Sequence, residues 1–280
     1  MTINLIVQYY KCDNEARQEE INICLSKNIS NEFISSIHLL TEQLIDISIF
    51  SQNEKIKQTV IGERLTFEIA FQHANQKHEN QIWILSNADI YFDESLNHLK
   101  DAKLDGAVFA LTRHDIQKDG TFKIVHPAFS HGCQDAWIFK TPITLDKIFA
   151  KFYLGIPGGD NRIAHEFIKA GYKVINPSYK IIIYHLDLIR KSNIFERNIE
   201  YAQLMTEDNI NKGLAAPPPY QYHLYPVDQM DPNSFDMYKS YLFQFSRLVD
   251  PENNELLQSW SWKITKPLRV IIRLFNKHSQ

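Results

Sequence analysis

Short apolar runs alternate along the chain with stretches whose apolar residues recur at helical spacing, and this alternation limits the available folds more than any other feature. Apolar runs bounded by turn residues read as buried strands, and strand-helix alternation reads as βαβ units. Strands are predicted at residues 3–8, 36–40, 46–50, 82–85, 107–111, 136–139, 174–176 and 181–184. Helices are predicted at 15–27, 62–75, 95–100 and 161–170. The 62–75 helix leads directly into the strand QIWIL, so it crosses back over the sheet. The fold class expected is α/β, with a mixed, mostly parallel sheet flanked by helices.

With 280 residues the chain has ample length for a core without staples. Cys12, Cys24 and Cys133 form no C-x-x-C pair and suit neither a disulfide framework nor a zinc site, so a reducing cytoplasm is the expected compartment. The N-terminal MTINLIVQYY lacks a signal peptide's basic stretch and reads as a first strand. No apolar run approaches the roughly 18 residues needed to span a bilayer. Net charge is only −3, which argues against a uniformly basic nucleic-acid binder.

Gly213 followed by Pro217, Pro218 and Pro219 predicts an extended, stiff connection, because consecutive prolines favour polyproline II. It divides the chain into a body, 1–215, and an extension, 216–280. Residues 256–280 hold Lys263, Lys266, Arg269, Arg273 and Lys277 and no Asp or Glu. From Pro267, which a first helical turn tolerates, Leu268, Ile271, Ile272 and Phe275 form one stripe and Arg269, Arg273 and Lys277 another. Such a helix can lie on an anionic membrane through 260–277, or dock on its own domain or a partner chain.

Three segments carry polar chemistry. The strand at 82–85 runs into Ser86-Asn87-Ala88-Asp89, which puts oxygens at the carboxyl edge of a parallel sheet, where open α/β proteins bind ligands. Asp suits Mg2+ or Mn2+ on phosphates, and an Asx-turn is the alternative. Gly155-Ile156-Pro157-Gly158-Gly159-Asp160-Asn161 is a loop feeding a helix, with Asp160 or Asn161 as its cap and glycines that let a ligand approach the backbone. His185 ends an apolar strand, either as a metal ligand or as a core histidine with satisfied hydrogen bonds.

In this order the segments resemble a GT-A glycosyltransferase of the family 2 type, over about residues 3–190. The resemblance implies a GT-A-like, Rossmann-like catalytic domain with a helical C-terminal extension. Asn87-Ala88-Asp89 would stand for the D-x-D motif that holds the metal and the nucleotide-sugar diphosphate. Gly159-Asp160 would stand for the E-D pair that supplies the base, and His185 for the histidine near the diphosphate. Asn87 replaces the first carboxylate and Gly159 the glutamate, so Asp89 and His185 are the expected ligands of Mn2+ or Mg2+ and Asp160 the expected base. Direct displacement with one base implies inversion at the anomeric carbon. Further expected substrate-binding positions are Arg64, Asn87, Trp137, Gly158, Gly159 and Asn161. Asp135 is a second candidate base, and Trp137 is either a stacking face for a sugar or a core residue.

The partners implied are a nucleotide-sugar donor and a glycan or lipid-linked acceptor, at the cytoplasmic face of the inner membrane where the tail engages it. The tail's SWSWKITKPLR resembles a segment found in some bacterial surface-polysaccharide glycosyltransferases. A sugar nucleotidyltransferase is an alternative, disfavoured because no Gly-rich, basic phosphate loop follows the first strand. A non-catalytic glycan-binding protein is another, suggested by the two missing carboxylates. No G-x-G-x-x-G follows the first strand, so a dehydrogenase is not supported.

Overall fold

The computed structural model describes residues 2–50, 54–77, 80–124, 133–189, 203–221, 224–227 and 230–231. These all fall in the first of two units, Met1–Asn233; the second, Ser234–Gln280, lies outside the described residues, and with it the expected helix and membrane contact at 260–277. No described helix is long and apolar enough to cross a membrane. The three cysteines are free.

A seven-stranded sheet forms the centre. Its strands are β1 (Ile3–Gln8), β2 (Ser36–Thr41), β3 (Ile56–Val60), β4 (Ile82–Ser86), β6 (Ala107–Thr112), β9 (Gln134–Lys140) and β10 (Lys173–Ile175), in the order β10-β6-β9-β4-β1-β2-β3. Four neighbouring pairs are parallel, and β9 alone runs antiparallel, to β4 and β6. The mixed, mostly parallel α/β sheet is therefore as expected. A smaller sheet joins β5 (Ile90–Phe92), β7 (His114–Ile116), β8 (Phe122–Ile124) and β11 (Ile183–His185) in the order β5-β11-β7-β8.

Helix α1 (Glu15–Ser30) starts at Asn14, whose side chain accepts from the Arg17 amide at 3.1 Å and satisfies an otherwise orphaned donor. Its buried stripe is Arg17, Glu20, Ile21, Cys24, Leu25 and Asn28, at i, i+3, i+4 spacing. Asn28 ties the helix to the small sheet: its Nδ2 donates to the Ile90 carbonyl at 2.9 Å and its Oδ1 accepts from the Phe92 amide at 3.0 Å. Helices α2 (Phe67–Lys77) and α3 (Gly159–Lys169) bury aromatic rings against the central sheet. Phe71 meets Phe139 edge-on at 5.2 Å, and Trp137 lies between Phe67 and Phe167. Burying each such ring contributes about 1.5–3 kcal/mol.

Three expectations need correction. Residues 46–50 are not a strand, because the Asp46 carboxylate accepts from the Ser48 amide at 2.9 Å and turns the chain into a 3-10 helix, Ser48–Phe50. The neighbouring strand is β3, a polar edge without an apolar run. The helix expected from residue 62 begins at Phe67, since Gly62 has φ 79° and Thr66 Oγ1 accepts from the Ile69 amide at 3.2 Å. The helix expected at 95–100 is a 3-10 helix, Glu94–Asp101, capped by the Asp93 carboxylate.

Candidate functional site

The chemistry-bearing residues meet where the two sheets adjoin. Beyond β4 the chain turns through Asn87 and Asp89 into β5. Asn87 Nδ2 donates to Asp135 Oδ1 at 2.7 Å, and Arg113 Nη1 donates to Asp135 Oδ2 at 3.0 Å. Arg113 Nε reaches Asp115 Oδ1 at 2.9 Å. That same oxygen lies 2.7 Å from His185 Nδ1, across a parallel register that sets His185 of β11 beside Asp115 of β7. His185 Nε2 is 3.2 Å from Asp89 Oδ2. Asp89 Oδ2 also accepts from Arg17 Nη2, whose Nη1 reaches Glu20 Oε2 at 2.8 Å, the Leu186 carbonyl at 3.0 Å and Asp187 Oδ1 at 3.4 Å. One relay of charges thus runs from Glu20 through Arg17, Asp89, His185, Asp115 and Arg113 to Asp135.

Asp160 adjoins the far end of this relay. It lies half-buried in the first turn of α3. Burial raises its carboxyl well above the ordinary 3.8, and the neighbouring Asp135 carboxylate raises it further; Arg113 and a hydrogen bond from the Gln134 amide oppose the shift. Burial alone would lower His185, but the Asp89 carboxylate and the hydrogen bonds to Asp115 and Asp89 outweigh it and lift the imidazole to about 9. At neutral pH His185 is therefore a cation held between two carboxylates.

Of the residues singled out from sequence, Asp89, Asn87, Asp135 and His185 share this relay, and Asp160 lies against it. Trp137 is 1% exposed, with its ring packed on Phe67 and Phe167, so it presents no face to a sugar and belongs to the core. Arg64 precedes α2 instead of starting it; its Nη2 donates to the Leu154 carbonyl at 3.0 Å and its guanidinium lies 5.1 Å from the Tyr153 ring, steadying the loop before Gly155. Gly158, at φ 75°, is the N-cap of α3, a place expected of Asp160 or Asn161. Gly159 is buried, its Cβ position 3.6 Å from Ile156. Asn161 exchanges hydrogen bonds with Gln221: its Nδ2 donates to the Gln221 carbonyl at 2.7 Å and its own carbonyl accepts from the Gln221 amide at 2.8 Å.

Sequence reasoning missed Arg17, Glu20, Arg113, Asp115 and Asp187. Arg17 and Glu20 carried a signal, since both fall on the helical stripe that also holds Ile21, Cys24 and Leu25. Charged residues on an apolar stripe are buried only when paired, so a partner was implied. Arg113 and Asp115 carried none, being alternate residues at the edge of a short strand.

The divalent ion expected at Asp89 and His185 does not fit the residues as they stand. Among the described residues no three His, Cys, Asp or Glu side chains are grouped to hold a metal. Asp89 Oδ2 is bonded to Arg17 and lies 3.2 Å from His185 Nε2, so an ion at this carboxylate would sit beside two cations. A doubly charged ion about 4 Å from a guanidinium is repelled by on the order of 8 kcal/mol at an effective dielectric constant of about 20.

No family model matches the chain, and no curated protein matches it. Among solved structures it is similar to a mannosyltransferase of Pyrobaculum calidifontis in complex with GDP-Man and Mn2+, at 14% identity over 96% of this chain and 82% of that one, with a TM-score of 0.48. It is similar to S. aureus TarS 1-349 in complex with UDP, at 12% identity over 76% of this chain and 68% of that one, TM-score 0.44. GalNAc-T7 with UDP, GalNAc and Mn2+ gives 12% identity over 94% of this chain and 57% of that one, TM-score 0.45. These are loose likenesses of backbone. No residue role passes from them to this chain.

Proposed function

We propose that the chain is a glycosyltransferase that moves a sugar from a nucleotide-diphosphate donor to a hydroxyl acceptor, with inversion. One observation carries this reading: Asp160, held half-buried at a helix start with its pKa pushed up, adjoins a relay that gathers Arg113, His185 and Arg17 from three distant parts of the chain. A carboxylate that binds its proton more tightly is a stronger base at neutral pH. In the transfer, the acceptor oxygen bonds to the anomeric carbon while its proton passes to Asp160. The bond from that carbon to phosphate breaks, and its electron pair leaves on the diphosphate. The cationic side chains nearby stabilise that developing negative charge. The acceptor class that suits this reading is a glycan or a lipid-linked sugar.

The test is transfer, or slow donor hydrolysis, with a panel of UDP and GDP sugars. Asp160→Asn keeps the shape and removes the base, so turnover should fall about 10²- to 10⁴-fold while calorimetric nucleotide affinity stays near wild type. Undiminished turnover in that variant sinks the assignment of the base. Absence of UDP or GDP binding under every condition sinks the function.

A further inference from the structure

Arg17 is an odd residue for its position. It is the third residue of α1, where the helix dipole disfavours a positive side chain. It is nevertheless only 8% exposed. The cost is offset by what surrounds the guanidinium: Asp89, Glu20, Asp187 and the Leu186 carbonyl all accept from it. Burial lowers its tendency to hold a proton, and Asp89, Glu20 and Asp187 together more than restore it, so the group is a permanent cation. Asn14 and Asn28 fasten the two ends of the helix that carries it, which fixes where the guanidinium sits.

We infer that Arg17 and a divalent cation exclude one another at Asp89, so that the free protein takes up no metal through this carboxylate. An ion arriving at either oxygen of Asp89 comes within a few ångströms of a guanidinium that Glu20 and Asp187 also hold in place. Both charges are positive and the site is buried, which screens them poorly. Asp89 is thereby a positioning residue: it fixes Arg17, and through the same oxygen His185. This deepens the proposed donor site by naming its resident cation, but its readout is metal uptake without nucleotide, so the two proposals fail separately.

The experiment is an electron paramagnetic resonance titration of Mn2+ against the full chain, with no nucleotide present. Wild type and Asp89→Asn should bind Mn2+ indistinguishably. Arg17→Gln, which removes the charge and keeps polar reach, should gain a bound Mn2+ at least about tenfold tighter than any wild-type site. The gain should vanish in Arg17→Gln/Asp89→Asn. A wild-type Mn2+ site that disappears in Asp89→Asn overturns the inference, as does a folded Arg17→Gln that gains nothing. Circular dichroism establishes whether Arg17→Gln folds; if it does not, the comparison of wild type with Asp89→Asn decides alone.

Discussion

Asp135 has both oxygens engaged, by Asn87 and by Arg113, whereas the neighbouring Asp160 carries the displaced protonation equilibrium. This division separates the two candidate bases: Asp135 is the charge that tunes, and Asp160 the group that is tuned. Removing the tuning charge has a definite sign. In Asp135→Asn the deprotonated form of Asp160 loses a repulsive neighbour, so its pKa falls toward the ordinary carboxylate value. The acidic limb of the kcat/KM profile should therefore move to lower pH, and an unmoved or rising limb would contradict the electrostatic link. The same charge accounts for Asn87, since a carboxylate there would face Asp135 without a hydrogen to donate. Asp89, Asp160 and His185 were legible in the sequence because each follows or ends a strand or opens a helix. Arg113 was not, because an Arg beside a short strand gives no sign of whether it meets water or a buried acid, whereas Arg17 at least fell on a buried helical stripe.

Between elements, β2 and α2 share a polar contact inside an apolar layer. His73 Nε2 on α2 is 2.8 Å from His38 Nδ1 on β2, and His38 Nε2 is 3.0 Å from Ser36 Oγ. That hydroxyl donates to Asn4 Oδ1 at 2.7 Å. Burial lowers His73 to about 4, and Lys77 adds to the shift. Between its unfolded value of 6.5 and about 4 the unfolded chain binds the extra proton, so stability is full above pH 6.5 and drains as pH falls toward 4. Urea melts across that window should lose at most about 3 kcal/mol through this residue. His73→Gln should flatten the dependence, and an equal slope in that variant would assign the loss elsewhere. Element types followed apolar spacing where side chains are buried, as in β1, β4 and β9. They failed where local polar bonds or exposure decide: at 46–50 an Asp turns the chain, and at β3 an edge strand is half in water.

At the scale of the whole described body, residues 203–221 cross the start of α3. The Ala216 amide donates to the Pro157 carbonyl at 2.9 Å, and Arg162 reaches the Pro217 carbonyl at 2.9 Å and that of Pro218. Met205 closes on Gly158, where an added Cβ would lie 2.7 Å from Met205 Cε. Gly158→Ala also meets a φ of 75°, so it should destabilise the fold by about 1–2 kcal/mol from the backbone alone. A thermal melt unchanged from wild type would contradict that. Strand order and the β9 reversal were beyond sequence reasoning, because pairing between distant strands leaves no local pattern. The partners of Arg17 lie at both ends of a long stretch of chain: Glu20 is near it, whereas Asp89 and Asp187 follow much later. During synthesis, then, α1 leaves the ribosome with Glu20 as the guanidinium's one ion-pair partner, and the full set is complete only once the chain beyond β11 has been translated.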